Sequence, residues 1–144
     1  PRIICLDVGT VRIGVAVSDP LGITAQGVET IVRKDEKADG PWLDELERAF
    51  ERYDTGCLLV GLPIREDGTI GPSAQHVQDV VKEIQRRFPM VTVRYWDERY
   101  STCTATSYLL EGNVSRRKRK QSVDKIAAAV ILQSYMDTKG ADRF

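Results

Sequence analysis

The run Arg2-Ile3-Ile4-Cys5-Leu6-Asp7-Val8-Gly9-Thr10 is apolar, rich in β-branched residues, broken by one acid and stopped by a glycine. A short apolar run closed by a turn signal reads as a strand covered on both faces. A carboxylate inside such a strand is costly unless it is paired, hydrogen-bonded or bound to a cation. Asp7 is therefore the first candidate functional residue, the alternative being an acid at a frayed strand end.

Working outward, residues 13–19 form a second strand, and Pro20-Leu21-Gly22 turns the chain into a third over residues 23–32. Three strands in close succession predict an antiparallel meander. After a polar stretch, Pro41 opens a helix whose apolar positions Trp42, Leu43, Leu46, Ala49, Phe50 and Tyr53 follow the 3.6-residue period. Residues 57–60 are a fourth strand, ended by Gly61-Leu62-Pro63. Ser73 is the expected N-cap of a helix carrying Val77, Val80, Val81, Ile84 and Phe88. Residues 91–96 are a fifth strand leading into Asp97-Glu98-Arg99. A helix over 101–111, a loop at Gly112-Asn113, the basic run Arg116-Arg117-Lys118-Arg119-Lys120 and a last helix to about Asp137 complete the chain. The order βββ-α-β-α-β-α-α predicts a mixed α/β sheet with helices on both faces.

With 144 residues there is room for one domain, spanning 1–144, and not for two lobes around a cleft. The 21 basic and 21 acidic residues balance, so a polyanion site must be local. No apolar stretch is long enough for a membrane span and no signal-peptide pattern precedes the first strand, so the chain reads as cytoplasmic. Cys5, Cys57 and Cys103 are widely spaced and His76 is the sole histidine. That sets aside disulfide frameworks, structural zinc and histidine-based triads, and leaves carboxylates, hydroxyls, a lone cysteine or backbone groups for any chemistry.

Two further acidic features stand out. Asp97 and Glu98 close the fifth strand, and in a regular strand only one of them can face a shared site; a solvated acidic turn is the alternative. Asp124, at about 100° per residue, falls between Ile131 and Tyr135 in angle, beside a stripe of Val123, Ala127, Val130, Ile131 and Ser134 on the last helix, at the edge of the buried face. Alone it would read as a first-turn acid favouring the helix dipole. Together the carboxylates on two strands and a helix, without a histidine, are the oxygen donors that Mg²⁺ or Mn²⁺ takes, and a pair of such ions about 4 Å apart supports in-line phosphoryl displacement. The basic run is the candidate nucleic-acid contact. With its five charges set aside, 16 basic residues face 21 acidic ones, a net charge of −5 elsewhere. Gly61, Gly68 and Gly71 lack the Lys-Ser/Thr ending of a P-loop and read as turn glycines. Ser101-Thr102 reads as a helix cap, Cys5 and Cys57 as core.

Leu6-Asp7-Val8-Gly9-Thr10 with Arg12 to Asp19, Gly61-Leu62-Pro63 with Gly68, Asp97-Glu98-Arg99 with Ser101-Thr102 and Ala105, and Asp124-Lys125-Ile126-Ala127-Ala128 with Ile131-Leu132-Gln133 closely resemble the YqgF family, also called RuvX. The four motifs occur in order across about residues 3–137. The resemblance implies a ribonuclease H-like fold with sheet order 3-2-1-4-5 and strand 2 antiparallel. It also implies metal-dependent cleavage of phosphodiesters, in precursor small-subunit ribosomal RNA or in four-way DNA junctions, by a monomer or a homodimer. Carried onto this chain it makes Asp7, Glu98 or Asp97, and Asp124 the ligands of Mg²⁺ or Mn²⁺, expected as two ions; Arg99, beside these acids, joins the basic run 116–120 as an expected nucleic-acid contact. The fourth strand ends in Gly61 where many ribonuclease H-like nucleases carry an acid. Strand five lies about 10 Å from Asp7 across that strand, so the empty space at Gly61 and the extra methylene of glutamate favour Glu98 over Asp97. Competing readings are a catalytically inactive nucleic-acid-binding module and an ATP-binding domain, because Asp7-Val8-Gly9-Thr10 also resembles the phosphate loop of the actin and sugar-kinase superfamily.

Overall fold

The computed structural model describes residues 2–33, 40–100, 116–139 and 144, with backbone alone at Tyr100 and residues 116–122. The helix expected over 101–111, and Ser101, Thr102 and Cys103 with it, lies outside the described residues. β1 (Ile4–Val8) is the central strand. It pairs antiparallel with β2 (Arg12–Ser18) and parallel with β4 (Cys57–Leu62). β3 (Ala25–Val32) extends the meander on one edge, and β5 (Thr92–Asp97) runs parallel to β4 on the other. The order β3-β2-β1-β4-β5, with β2 antiparallel, is the expected one.

Alternation along β1 and the residue before it divides the molecule into two layers. Ile4, Leu6 and Val8 face α1 (Pro41–Arg52) and α2 (Pro72–Arg87), packing with Trp42, Leu46, Val77 and Ile84. Ile3 and Cys5 face α3 (Arg116–Lys139), packing with Ala128, Ile131, Leu132, Tyr135 and Met136. Asp7, two residues beyond Cys5, continues the α3 face. Burial and the neighbouring Asp7 and Glu98 carboxyls push the Cys5 thiol up, so it packs as a protonated, apolar group.

Three local expectations need correction. α2 begins at Pro72 with Gly71 as its N-cap, not at Ser73, because proline at the first helical position brings a pre-set φ and lacks an N–H that would have gone unpaired. The basic run 116–120 is the first part of α3 rather than a segment before it. Asp124 therefore sits more than two turns into the helix and owes nothing to its terminus. The buried stripe of α3 is also rotated from the one expected: it comprises Ala128, Ile131, Leu132, Tyr135 and Met136, while Val123 and Val130 are half-buried. Asp124 is four residues before Ala128 and seven before Ile131, so it lies in line with the stripe and extends it toward the sheet.

Candidate active site

α3 is brought close to the sheet where the strands carry glycine. Asp7 is paired across the sheet with Gly14, and a Cβ on Gly14 would overlap the backbone carbonyl of Asp124. On β3, a Cβ on Gly27 would come within 2.8 Å of the Lys125 carbonyl. Two glycines on adjacent strands thus let the Asp124-Lys125 backbone rest on the sheet beside Asp7. Farther along α3, the Gln133 amide accepts from Ala25 N–H at 2.9 Å and donates to the Ile23 carbonyl at 2.9 Å, and Trp96 Nε1 donates to Ser134 Oγ at 3.1 Å. Burial of Ile131, Leu132 and Met136 contributes about 1.5–3 kcal/mol each and holds the helix, with its acid, in place.

The second carboxyl arrives from the far side of β4. β5 ends at Asp97, and Glu98 opens a turn of 3₁₀ helix, Glu98–Tyr100. Gly61 leaves the corridor empty: a Cβ there would lie 2.6 Å from Glu98 Oε1 and 2.7 Å from Ile131 Cδ1. Through that gap the Glu98 carboxyl reaches Asp7 and hydrogen-bonds to it. Asp97 is turned elsewhere. It accepts from the Arg99 backbone N–H at 2.9 Å and from Arg99 Nε at 2.8 Å, and the guanidinium closes a second contact at 2.6 Å. Arg99 also donates to the Glu66 carbonyl at 3.4 Å. The hydrogen bonds from Arg99 hold the Asp97 carboxyl below the usual range.

The electrostatics follow from this packing. Burial pushes the Asp7 carboxyl up; the Glu98 hydrogen bond works against that rise and the charge of Asp124 adds to it. Burial first, then the charge of Asp7, the hydrogen bond to it and the charge of Asp97, push Glu98 up to about 8. At neutral pH the two carboxyls therefore hold a proton between them, Glu98 donating and Asp7 accepting. Asp124 is paired with Arg12, Nε to Oδ2 at 3.0 Å. Among the described residues no three His, Cys, Asp or Glu side chains already converge at metal-ligand distance.

Two openings flank the Gly9-Thr10 turn. One, of about 430 Å³, is lined by Gly9, Thr10, Pro63, Ser73, His76 and Glu98; the other, of about 290 Å³, by Gly9, Thr10, Val11, Arg12 and Asp124. A larger cavity of about 550 Å³ lies at the other end of the sheet, between Phe50, Thr55, Phe88 and Met90, far from the carboxyls. Two side chains here were given no role from the sequence, Arg12 and His76. His76 Nε2 lies 3.2 Å from the Gly9 carbonyl, donating in the tautomer protonated there. Arg12 was recoverable from alternation, since it shares the α3 face with Gly14; His76 carried no such signal. Side chains 116–120 lie outside the described residues.

A family model, RuvX, described as Holliday junction resolvase, matches residues 1–138. A Clostridium botulinum (strain Hall) protein named "Putative pre-16S rRNA nuclease" is 43% identical over 137 residues, covering 95% of this chain and 97% of its own length. A Geobacillus (strain WCH70) protein of the same name is 45% identical over 138 residues, covering 96% and 99%. Among solved structures, Thermus thermophilus RuvC in complex with a Holliday junction substrate matches with a TM-score of 0.56 at 13% identity, covering 96% of each chain. The fowlpox virus Holliday junction resolvase matches at 0.54 and 13%, covering 96% and 99%. At 13% identity these two speak to the fold, which is that of the RuvC-like, ribonuclease H-fold resolvases. With a family model along nearly the whole chain and relatives above 40% identity over almost their full lengths, this chain belongs to the RuvX family.

Proposed function

We propose that this protein is a divalent-metal-dependent nuclease that cleaves structured nucleic acid, with precursor small-subunit ribosomal RNA as the first substrate to test. The observation that carries the chemistry is the Asp7–Glu98 pair. Two half-buried carboxyls are hydrogen-bonded to each other at the ends of β1 and β5, with Asp124 close enough for its charge to act on Asp7. An all-oxygen donor set of this kind suits a hard cation, and a cation would displace the shared proton. The residues that would hold it are Asp7, Glu98 and Asp124. When bound, Mg²⁺ or Mn²⁺ supplies an activated water and charge stabilisation for an in-line phosphoryl displacement. The chain's own part is to fix the carboxylates: Gly14 seats Asp124, Gly61 admits Glu98, and the Arg99 clamp keeps Asp97 away. The basic run 116–120 lies about one to two helical turns before Asp124 on the same helix, so phosphates drawn to it would arrive at the carboxylate end of the molecule. The ribosomal reading is supported by the names of the relatives at 43% and 45% identity.

A DNA junction resolvase is the second reading, favoured by the description of the family model. A resolvase cutting two strands symmetrically should be a two-fold dimer, so oligomeric state in solution bears on the choice. No helix among the described residues is long and apolar enough to cross a membrane. The deciding experiment incubates the protein with Mn²⁺ or Mg²⁺ and a panel of precursor ribosomal RNA, single-stranded RNA, duplex DNA and four-way junctions, alongside Asp7→Asn. Metal-dependent cleavage of the precursor RNA, lost in Asp7→Asn while nucleic-acid binding persists, is the expected result. Equal turnover by Asp7→Asn would remove the assigned site.

A further inference from the structure

Arg12 opens β2 and projects from the same face as Gly14 and Ala16, toward α3. Its Nε stands 3.0 Å from Asp124 Oδ2, and its side chain is 30% exposed. Arg12 and Asp124 line the 290 Å³ opening with Gly9, Thr10 and Val11. We propose that Arg12 is an exchange residue: it competes with the divalent cation for Asp124, and when the cation takes that carboxylate the guanidinium turns into the Gly9–Val11 opening to hold a phosphate oxygen of the substrate. The inference rests on the metal reading above and assigns a second, substrate-binding task to a residue outside the carboxylate set.

The reasons are steric and electrostatic. Oδ2 cannot serve a guanidinium and a divalent ion at full strength together, because two cations on one oxygen repel at short range. A guanidinium keeps its charge in proteins, so it relieves the repulsion by moving. Asp124 is the less able to yield, since its backbone rests on Gly14 where no Cβ would fit. Arg12 is partly exposed at a strand end beside an opening. A displaced guanidinium presents a planar fork that matches phosphate oxygens. Cation binding would thus be coupled to substrate binding through one side chain.

The test measures Mn²⁺ binding by calorimetry, without substrate, for the parent, Arg12→Gln and Arg12→Lys. Removing the competitor should tighten Mn²⁺ binding roughly three- to tenfold in Arg12→Gln, as expected when a nearby like charge is lost, with Arg12→Lys close to the parent. In Ca²⁺, affinity for a precursor ribosomal RNA fragment, followed against salt, should lose close to one phosphate contact in Arg12→Gln, a slope change of about 0.7 on a single strand. Unchanged or weaker Mn²⁺ binding by Arg12→Gln, or an unchanged salt slope, overturns the exchange while leaving the metal reading standing. A parent that binds no Mn²⁺ overturns the metal reading and the exchange with it.

Discussion

Asp7 and Glu98 reach each other from strands that are not neighbours, and the shared proton follows from burying two acids side by side. Glu98→Gln should therefore reduce metal-dependent cleavage by about two orders of magnitude or more, as expected when a group acting on the reacting centre is removed. Asp97→Asn should cost much less, since Asp97 is occupied by Arg99; steady-state rates on one substrate rank the two. The same pair sets a pH dependence of stability. Glu98 is raised from the ordinary 4.5 to about 8 in the folded protein, so folding favours its protonated form. That contribution is complete below the unfolded value and is lost as pH rises through the folded one, at about 1.4 kcal/mol for each pH unit crossed between the two. In chelator, thermal stability should fall between about pH 4.5 and 8, Glu98→Gln should flatten the fall, and Mg²⁺ should oppose it. Parallel melting curves for parent and variant across that range would contradict the assignment.

Among the elements, α3 depends on what the strands beneath it lack. Gly14→Ala would set a methyl against the Asp124 backbone, which cannot step aside without lifting the helix. Overpacking of this kind costs about 1–3 kcal/mol, and the melting temperature should drop with activity. Gly61→Ala meets side chain rather than backbone, the Glu98 carboxyl and Cγ and the end of Ile131, so its stability cost should be near the low end, about 1 kcal/mol, while cleavage falls as far as in Glu98→Gln. Denaturant midpoints measured beside rates separate the two, and equal stability losses would show that the space at Gly61 is not particular to Glu98. The burial of β1 on both faces, the periodicity of α1 and α2 and the gap at Gly61 were all legible in the sequence. The face of α3 was legible only in part: the angle of Asp124 between Ile131 and Tyr135 could be counted, but counting apolar residues favoured Val123 and Val130, whereas contact with Gly14 and Gly27 turns Ala128, Leu132 and Met136 inward instead.

For the whole molecule, the sheet gathers its candidate site at one end. The carboxyls, the Gly9-Thr10 turn and both flanking openings lie where β1, β4 and β5 finish, and the 550 Å³ cavity lies at the opposite end. The five charges of residues 116–120 belong to the helix that delivers Asp124. Replacing Arg116, Arg117, Lys118, Arg119 and Lys120 with Ser or Gln should weaken nucleic-acid binding almost independently of base sequence. Each lost phosphate contact should remove about 0.9 from the salt slope on duplex DNA or about 0.7 on a single strand, with Mn²⁺ binding little changed. Parental affinity and slope in that variant would make the run an ordinary solvated helix face.

Local chemistry was enough to place Asp7 in a buried strand, to order the elements along the chain and to single out carboxylates as the candidate groups, because strand and helix periodicity, proline and glycine punctuation and the cost of a buried acid all act over a few residues; the central place of that strand in the sheet came from the family resemblance. Tertiary structure alone decided the rest. The seating of Asp124 depends on Gly14 at the other end of the chain, and the Arg12–Asp124 pair joins the first hairpin to the last helix. Such contacts arise from the pairing register of the sheet and the approach of a helix to it, which no local pattern of residues encodes.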